Sequence, residues 1–257
     1  MIAEARRRLF GVAVDNLTMG EAVAAIERLV TLRRPALVVT PNTQHIVLLQ
    51  EPGDLRSAYR SAALALADSV PLVRISRLLG VPLKERVAGA DVMPAFCRVA
   101  AEKRYRVFLL GAAPGVAERA AAVLTAAHPK LTIAGTYCPP WGFDADPGAT
   151  AAAVRAVRAA APDVLFVALG TPKGEVWAWK NLADLGVPAT VCVGASFDFI
   201  AGVQKRAPRW VQEAGFEWAF RLAHDPRRLW KRYLFGNTRF LVLTARALLG
   251  LDRGRGF

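Results

Sequence analysis

The chain has 257 residues, 54% hydrophobic and 21% charged. That excludes a disordered or fibrous protein, because such a composition buries enough apolar surface to offset chain entropy. The net charge is +13, from 34 Lys and Arg against 21 Asp and Glu, which calls for an anionic partner: a phosphate, a nucleic acid or a lipid surface.

Other classes fall away on simple counts. The three cysteines are far apart with no CxxC pair, so neither a disulfide framework nor a zinc site is expected, and a reducing cytoplasm is the natural home. Three histidines give no His-rich metal site; no cofactor is expected. The start carries basic residues but only a brief apolar run before Asp15, so no cleavable signal peptide is expected. No run approaches the roughly 18 apolar residues of a membrane span.

In chain order, short aliphatic or β-branched runs predict strands at 9–14, 37–40, 107–110, 131–136, 164–169 and 190–193. A further apolar run covers 64–67. Amphipathic, Ala-rich segments predict helices at 18–30, 91–102, 114–127 and 149–160. Thr18-Met-Gly-Glu21 reads as a capping box opening the first helix, and Asp91 and Pro114 read as helix starts. Strands alternating with such helices mean parallel crossovers, hence a Rossmann-like layered α/β core over residues 1–196. The strands are apolar throughout, as expected when both sheet faces are covered.

After about Phe197 the strand signals stop. Residues 208–250 read as two or three helices punctuated by Pro208, Pro226 and Gly236, so 197–257 forms a basic helical appendage. Residues 205–257 hold twelve basic and four acidic groups, or +8. Arg221, Arg228 and Arg232 fall near one face if a helix survives or resumes across Pro226. Trp210, Trp218, Trp230, Tyr233 and Phe235 are interleaved with them. That pattern suits a bilayer-surface helix, a nucleic-acid binder that stacks bases, or a plain bundle with buried aromatics.

In open α/β sheets ligands sit beyond the carboxyl ends of the strands, and five polar or glycine motifs fall there. Thr40-Pro-Asn42 binds a sugar hydroxyl or caps the next helix. Asp68, after the 64–67 run, is a general base or the N-cap of a helix near 71–79. Gly111-Ala-Ala-Pro-Gly115 opens a helix as a phosphate turn or a tight βα turn; it is neither GxGxxG nor a P-loop. Gly170-Thr-Pro-Lys-Gly-Glu175 offers Lys173 as an anion ligand or an exposed lysine. Gly194 follows the last strand, and His45, among aliphatic neighbours, is expected to pack.

These motifs together resemble the WecG/TagA/CpsF family of bacterial glycosyltransferases. The resemblance also draws on Arg86-Val-Ala-Gly-Ala-Asp91, Arg206-Ala-Pro208, Glu217-Trp218 with Arg221, and Pro226-Arg-Arg-Leu with Arg232-Tyr233. It implies inverting, metal-independent transfer of N-acetylmannosamine or its uronic acid from a UDP donor to N-acetylglucosamine on a polyprenyl diphosphate, at the cytoplasmic face of the membrane. By position it implies Asp68 as base, Thr40 and Asn42 as orienting groups, and Arg221, Arg228 and Arg232 as tail residues meeting the diphosphate. Arg86, Asp91, Gly111, Gly115, Gly170, Lys173, Glu175, Gly194 and Arg206 are its further substrate-binding candidates. Self-association would cover any patch that a loosely attached tail leaves.

Two departures stand out: Ser69-Val-Pro71 replaces a glycine-containing turn, and Gly174 stands where the family usually carries glutamine. The second implies room for a larger donor substituent, and it keeps open a catalytically lapsed sugar-binding protein. A nucleic-acid module is disfavoured because the basic groups sit on a short tail behind an enzyme-like core. The missing GxGxxG argues against an oxidoreductase.

Overall fold

The computed structural model describes residues 6–251. The 9–14 run, expected as one strand, is a hairpin. β1 (Arg6–Leu9) pairs antiparallel with β2 (Val12–Asp15) across Phe10 and Gly11, whose φ values of 51° and 83° supply the left-handed pair a two-residue turn needs. The hairpin docks on the edge of the main sheet. Buried Asp15 accepts the Ala65 N–H at 2.7 Å and pairs with Arg6 at 3.1 Å, which covers an edge that would otherwise be open.

The main sheet has six parallel strands in the order β4-β3-β8-β7-β5-β6, namely β4 (Leu64–Ala65), β3 (Leu37–Val39), β8 (Ala189–Cys192), β7 (Val164–Ala168), β5 (Arg106–Gly111) and β6 (Thr132–Tyr137). Alternate residues serve opposite layers. Leu37, Val39, Leu165 and Val167 pack with Leu72 and Trp177, whereas Val38, Leu109, Phe166 and Val191 pack with Ile26 and Phe96. Two apolar faces explain strands without a polar alternation.

The helices are α1 (Met19–Leu32), α2 (Thr43–Leu48), α3 (Asp54–Ser61), α4 (Val70–Leu78), α5 (Gly89–Lys103), α6 (Val116–Ala127), α7 (Pro147–Ala160), α8 (Lys173–Lys180) and α9 (Leu182–Leu185). The Thr18–Glu21 capping box is formed as the sequence predicts. Asp91 and Pro114 are not the helix starts. α5 begins two residues before Asp91, and α6 begins after Gly115, whose φ of 79° makes the turn into it.

α10 (Ser196–Ile200) still belongs to the core by packing, since Phe197 is fully buried. Beyond it come α11 (Arg209–Ala214), α12 (Glu217–His224) and α13 (Pro226–Leu248). Arg74 fastens α11 by donating to the carbonyls of Ala214 (3.0 Å) and Glu213 (2.9 Å). α13 lies against α2 and seats Phe240 on Phe10 with ring centroids 5.6 Å apart. One expectation fails here: Gly236 sits inside α13 without ending it. A helix resumes at Pro226, so Arg221 and Arg228 lie on successive helices.

Candidate active site

A cavity of about 760 Å³ lies beyond the carboxyl ends of the six strands, with α11, α12 and α13 closing one side. The strand-end motifs meet there. Its wall includes Thr40, Asn42, Asp68, Arg86, Gly170, Lys173, Glu175, Gly194, Arg206 and Arg221.

Asp68 is not a helix cap. Ser69 does that work, its Oγ accepting the Leu72 N–H, so the Asp68 carboxylate is left for the cavity. Its own N–H is fixed on the Pro41 carbonyl at 2.8 Å. Burial raises its pKa to about 7; Arg86 and the Gly89 N–H pull it down, and Glu217 and Asp91 push it up. A carboxyl group poised there exchanges a proton near neutral pH.

The two orienting candidates are held from behind. Thr40 is buried and donates to the Cys192 carbonyl at 3.0 Å. Asn42 caps α2, its Oδ1 accepting the N–H groups of Gln44 and His45. Gly89 allows the close approach behind Thr40, since a Cβ there would lie 3.0 Å from the Val193 Cα.

His45 does more than pack. It is buried on the cavity wall, with Nε2 2.9 Å from Glu175 Oε1 and 2.8 Å from Thr171 Oγ1. The strand-end loops of β3 and β7 are thereby tied together. Its one sequence signal is the spacing Asn42-x-x-His45, which is the reciprocal cap position actually formed.

Lys173 forms an ion pair with Asp144 at 2.7 Å and lies 5.3 Å from the centroid of the fully exposed Trp141 ring. The loop carrying Trp141, together with Trp218, Tyr233 and Phe199, lines the cavity and was missed as a site feature. Only the Pro139-Pro140 pair marked that loop as more than a connection.

Three candidates do not line the cavity. Asp91 faces two guanidinium groups instead, taking both arms of Arg206 and one from Arg86 at 2.8 Å. Burial pushes the Asp91 pKa up, and those arginines more than reverse this, so it stays ionised. Gly111 is structural: with φ of 114°, a Cβ would come within 2.5 Å of the Ala168 carbonyl oxygen. Gly115 makes the turn into α6, and its neighbours Ala112, Ala113 and Pro114 reach the cavity in its place. The side chains of Arg228 and Arg232 lie outside the described residues. Gly174 is buried away from the wall, where a Cβ would touch Leu169 and Val167 at 3.7 Å, so glycine there adds no space to the cavity.

The arginines differ in commitment. Arg86 and Arg206 are engaged by Asp91. Arg221 stands 5.5 Å from the Phe199 ring centroid, and among the described residues its buried Nε meets no hydrogen-bond partner. Among the described residues no three His, Cys, Asp or Glu side chains gather as metal ligands, and no helix is long and apolar enough to cross a membrane.

The sequence profile of the glycosyl transferase WecG/TagA/CpsF family matches residues 7–254. The chain belongs to that family. As a WecG/TagA/CpsF member it is a glycosyltransferase. It is 33% identical over 201 residues to the N-acetylglucosaminyldiphosphoundecaprenol N-acetyl-beta-D-mannosaminyltransferase of Bacillus subtilis (strain 168), covering 77% of this chain and 75% of the relative. The enzyme of the same name from Staphylococcus aureus (strain MW2) is 28% identical over 226 residues, covering 87% of this chain and 85% of its own. Within this WecG/TagA/CpsF chain, the matched region takes in the cavity and the tail helices that close it.

Proposed function

We propose that this glycosyltransferase moves N-acetylmannosamine, or a closely related hexose derivative, from a UDP donor to N-acetylglucosamine carried on a polyprenyl diphosphate. The two relatives are named for that acceptor and sugar. The observation that carries the reading is the Asp68 carboxyl group, with a pKa of about 7, on the same cavity wall as Arg221.

In the proposed step an acceptor hydroxyl attacks the anomeric carbon from the face opposite the diphosphate. A bond forms between the hydroxyl oxygen and that carbon, and the carbon–phosphate oxygen bond breaks with its electron pair leaving on UDP. Asp68 takes the hydroxyl proton. One attack of this kind inverts the anomeric centre, so one base is enough. Arg221 meets the charge growing on the departing diphosphate, where a guanidinium fork can take two phosphate oxygens. Binding and charge neutralisation in this scheme come from the chain's own residues.

Transfer from radiolabelled UDP-sugars to a lipid-linked N-acetylglucosamine acceptor tests the reading. Label should move to the lipid fraction with UDP-N-acetylmannosamine in preference to other donors. Release of labelled sugar into water with none reaching the lipid would refute it.

The tail is proposed as the membrane-facing side, peripheral on the inner leaflet. Trp210, Phe216, Leu234, Phe235, Leu241 and Leu249 are exposed on or beside its helices, alongside arginines and lysines. Amphipathic, basic, aromatic helices of this kind partition into anionic interfaces. The full chain is expected to float with liposomes containing anionic lipid, and to do so less as salt rises. Equal flotation by a chain ending at residue 201 would sink the assignment of binding to the tail.

A further inference from the structure

Five polar side chains, each from a different part of the chain, meet where the tail joins the core. Arg86, on the segment before α5, donates to Asp91 of α5 (2.8 Å), Gln212 of α11 (3.2 Å) and Glu217 of α12 (3.3 Å). Arg206, on the stretch leading into α11, holds the other side of Asp91. Gln212 is fixed in turn, its Nε2 donating to the Ala207 carbonyl at 2.7 Å. All four charged groups are partly shielded from water, with side chains 20–33% exposed.

Asp68 lies on the same wall and takes no ion pair from this group among the described residues. Arg86 is the nearby cation with the strongest pull on it, and Glu217 is the strongest nearby anion. The two are bound to each other. Arg86 comes from the core, whereas Glu217 arrives only with the tail.

We propose that Glu217 is a positioning residue: it draws Arg86 toward the tail and away from the Asp68 carboxylate, so that docking of the tail prepares Asp68 to take a proton. The proposal rests on the reading of Asp68 as the base, but its geometry does not depend on which sugar is moved. With the tail docked, the Arg86 charge is shared among Asp91, Gln212 and Glu217. Without Glu217, Arg86 keeps only Asp91 and Gln212 and is free to turn toward Asp68. Loss of the Glu217 charge and release of Arg86 then act in the same direction, stabilising the Asp68 carboxylate and weakening it as a base. The other charged or titratable groups bearing on Asp68 are Asp91, Arg206, Arg209 acting on Asp91, and the buried, neutral Tyr59 phenol. Substitution at Glu217 leaves each of these groups in place, and Arg206, which also feels the Glu217 charge, keeps its ion pair with Asp91.

The test is a direct titration of Asp68 in the full chain, with aspartate carboxyl carbons isotopically labelled and the Asp68 resonance assigned by its loss in Asp68→Asn. In Glu217→Gln the midpoint should fall by about half a unit to one unit, the size expected for removing one nearby like charge. In Glu217→Asp, which keeps the charge, most of that shift should be restored. Where transfer is measured, the acidic limb of its pH profile should move with the midpoint, and kcat should fall a few-fold at unchanged donor KM. A residue that only fastens the tail would raise donor KM and leave kcat alone. Resistance of the tail to limited proteolysis reports whether it remains docked. An unmoved or raised midpoint in Glu217→Gln overturns the proposal whether the tail is docked or released, since either condition takes the Glu217 charge away. Because the titration is read without substrate, it stands even if no UDP-sugar supports turnover.

Discussion

Asp68→Asn is expected to lower sugar transfer by about 10²–10⁴-fold, or about 3–5 kcal/mol of transition-state stabilisation, with donor affinity nearly intact. The amide fills the same space and keeps the backbone hydrogen bond to Pro41, but it cannot accept the acceptor's proton. Steady-state rates with saturating donor and acceptor check this, and a variant within a factor of two or three of the native rate would remove Asp68 as base. In the native chain the rate should climb as pH passes about 7 and then level off, because the base works in its ionised form and its pKa is raised to about 7. Stability runs the other way. A carboxyl group whose folded pKa lies above its unfolded value near 4 is held more tightly as the neutral acid in the folded chain. Stability is therefore lost as pH rises from about 4 to about 7. Asp68→Asn should recover about 2–4 kcal/mol of that loss at neutral pH, read as a higher urea midpoint. A dead enzyme that is more stable than its parent is the signature of a strained functional group.

Arg221→Ala should cost about 10²-fold in kcat, the scale seen when one donor to a developing oxyanion is removed. Arg86 and Arg206 cannot stand in, because Asp91 already holds both. Arg221→Lys should recover only part of the rate, since a single ammonium replaces a planar fork and its position over Phe199. Measuring kcat and KM for the donor beside UDP affinity separates the cases. Weaker UDP binding with kcat unchanged would mean uniform binding; loss of kcat with UDP binding unchanged places the contact in the transition state. Unchanged kinetics in both variants would take Arg221 out of the site.

The α/β class, the parallel strands and the rim motifs were legible because they are local. A capping box needs four residues and a strand needs one apolar run. Asp68 was visible as a carboxylate ending such a run, but its choice between capping and chemistry was not, since that turned on whether Ser69 would take the cap. The contacts that shape the site span much longer separations. Arg206 finds Asp91 115 residues away, and His45 finds Glu175 130 residues away, so no window along the chain reveals either pair. The same holds for the tail: α12 ends at His224 and α13 starts at Pro226, so spacing along one helix does not relate Arg221 to Arg228. The hairpin was lost for a smaller reason, because Phe10 takes a left-handed turn conformation that its residue type does not announce.

The order of strands in the sheet carries a consequence for how the protein is made. β3 and β4 form one ribbon and β5, β6 and β7 another, and β8 is the strand that bonds to both. β8 is also the last of these six strands to be synthesised. Until residue 192 has left the ribosome, the nascent polypeptide holds two half-sheets with unpaired apolar edges facing one another. Such edges are where partly made chains stick to each other. Emergence of β8 therefore closes the sheet and ends the interval in which a chaperone has the most to cover.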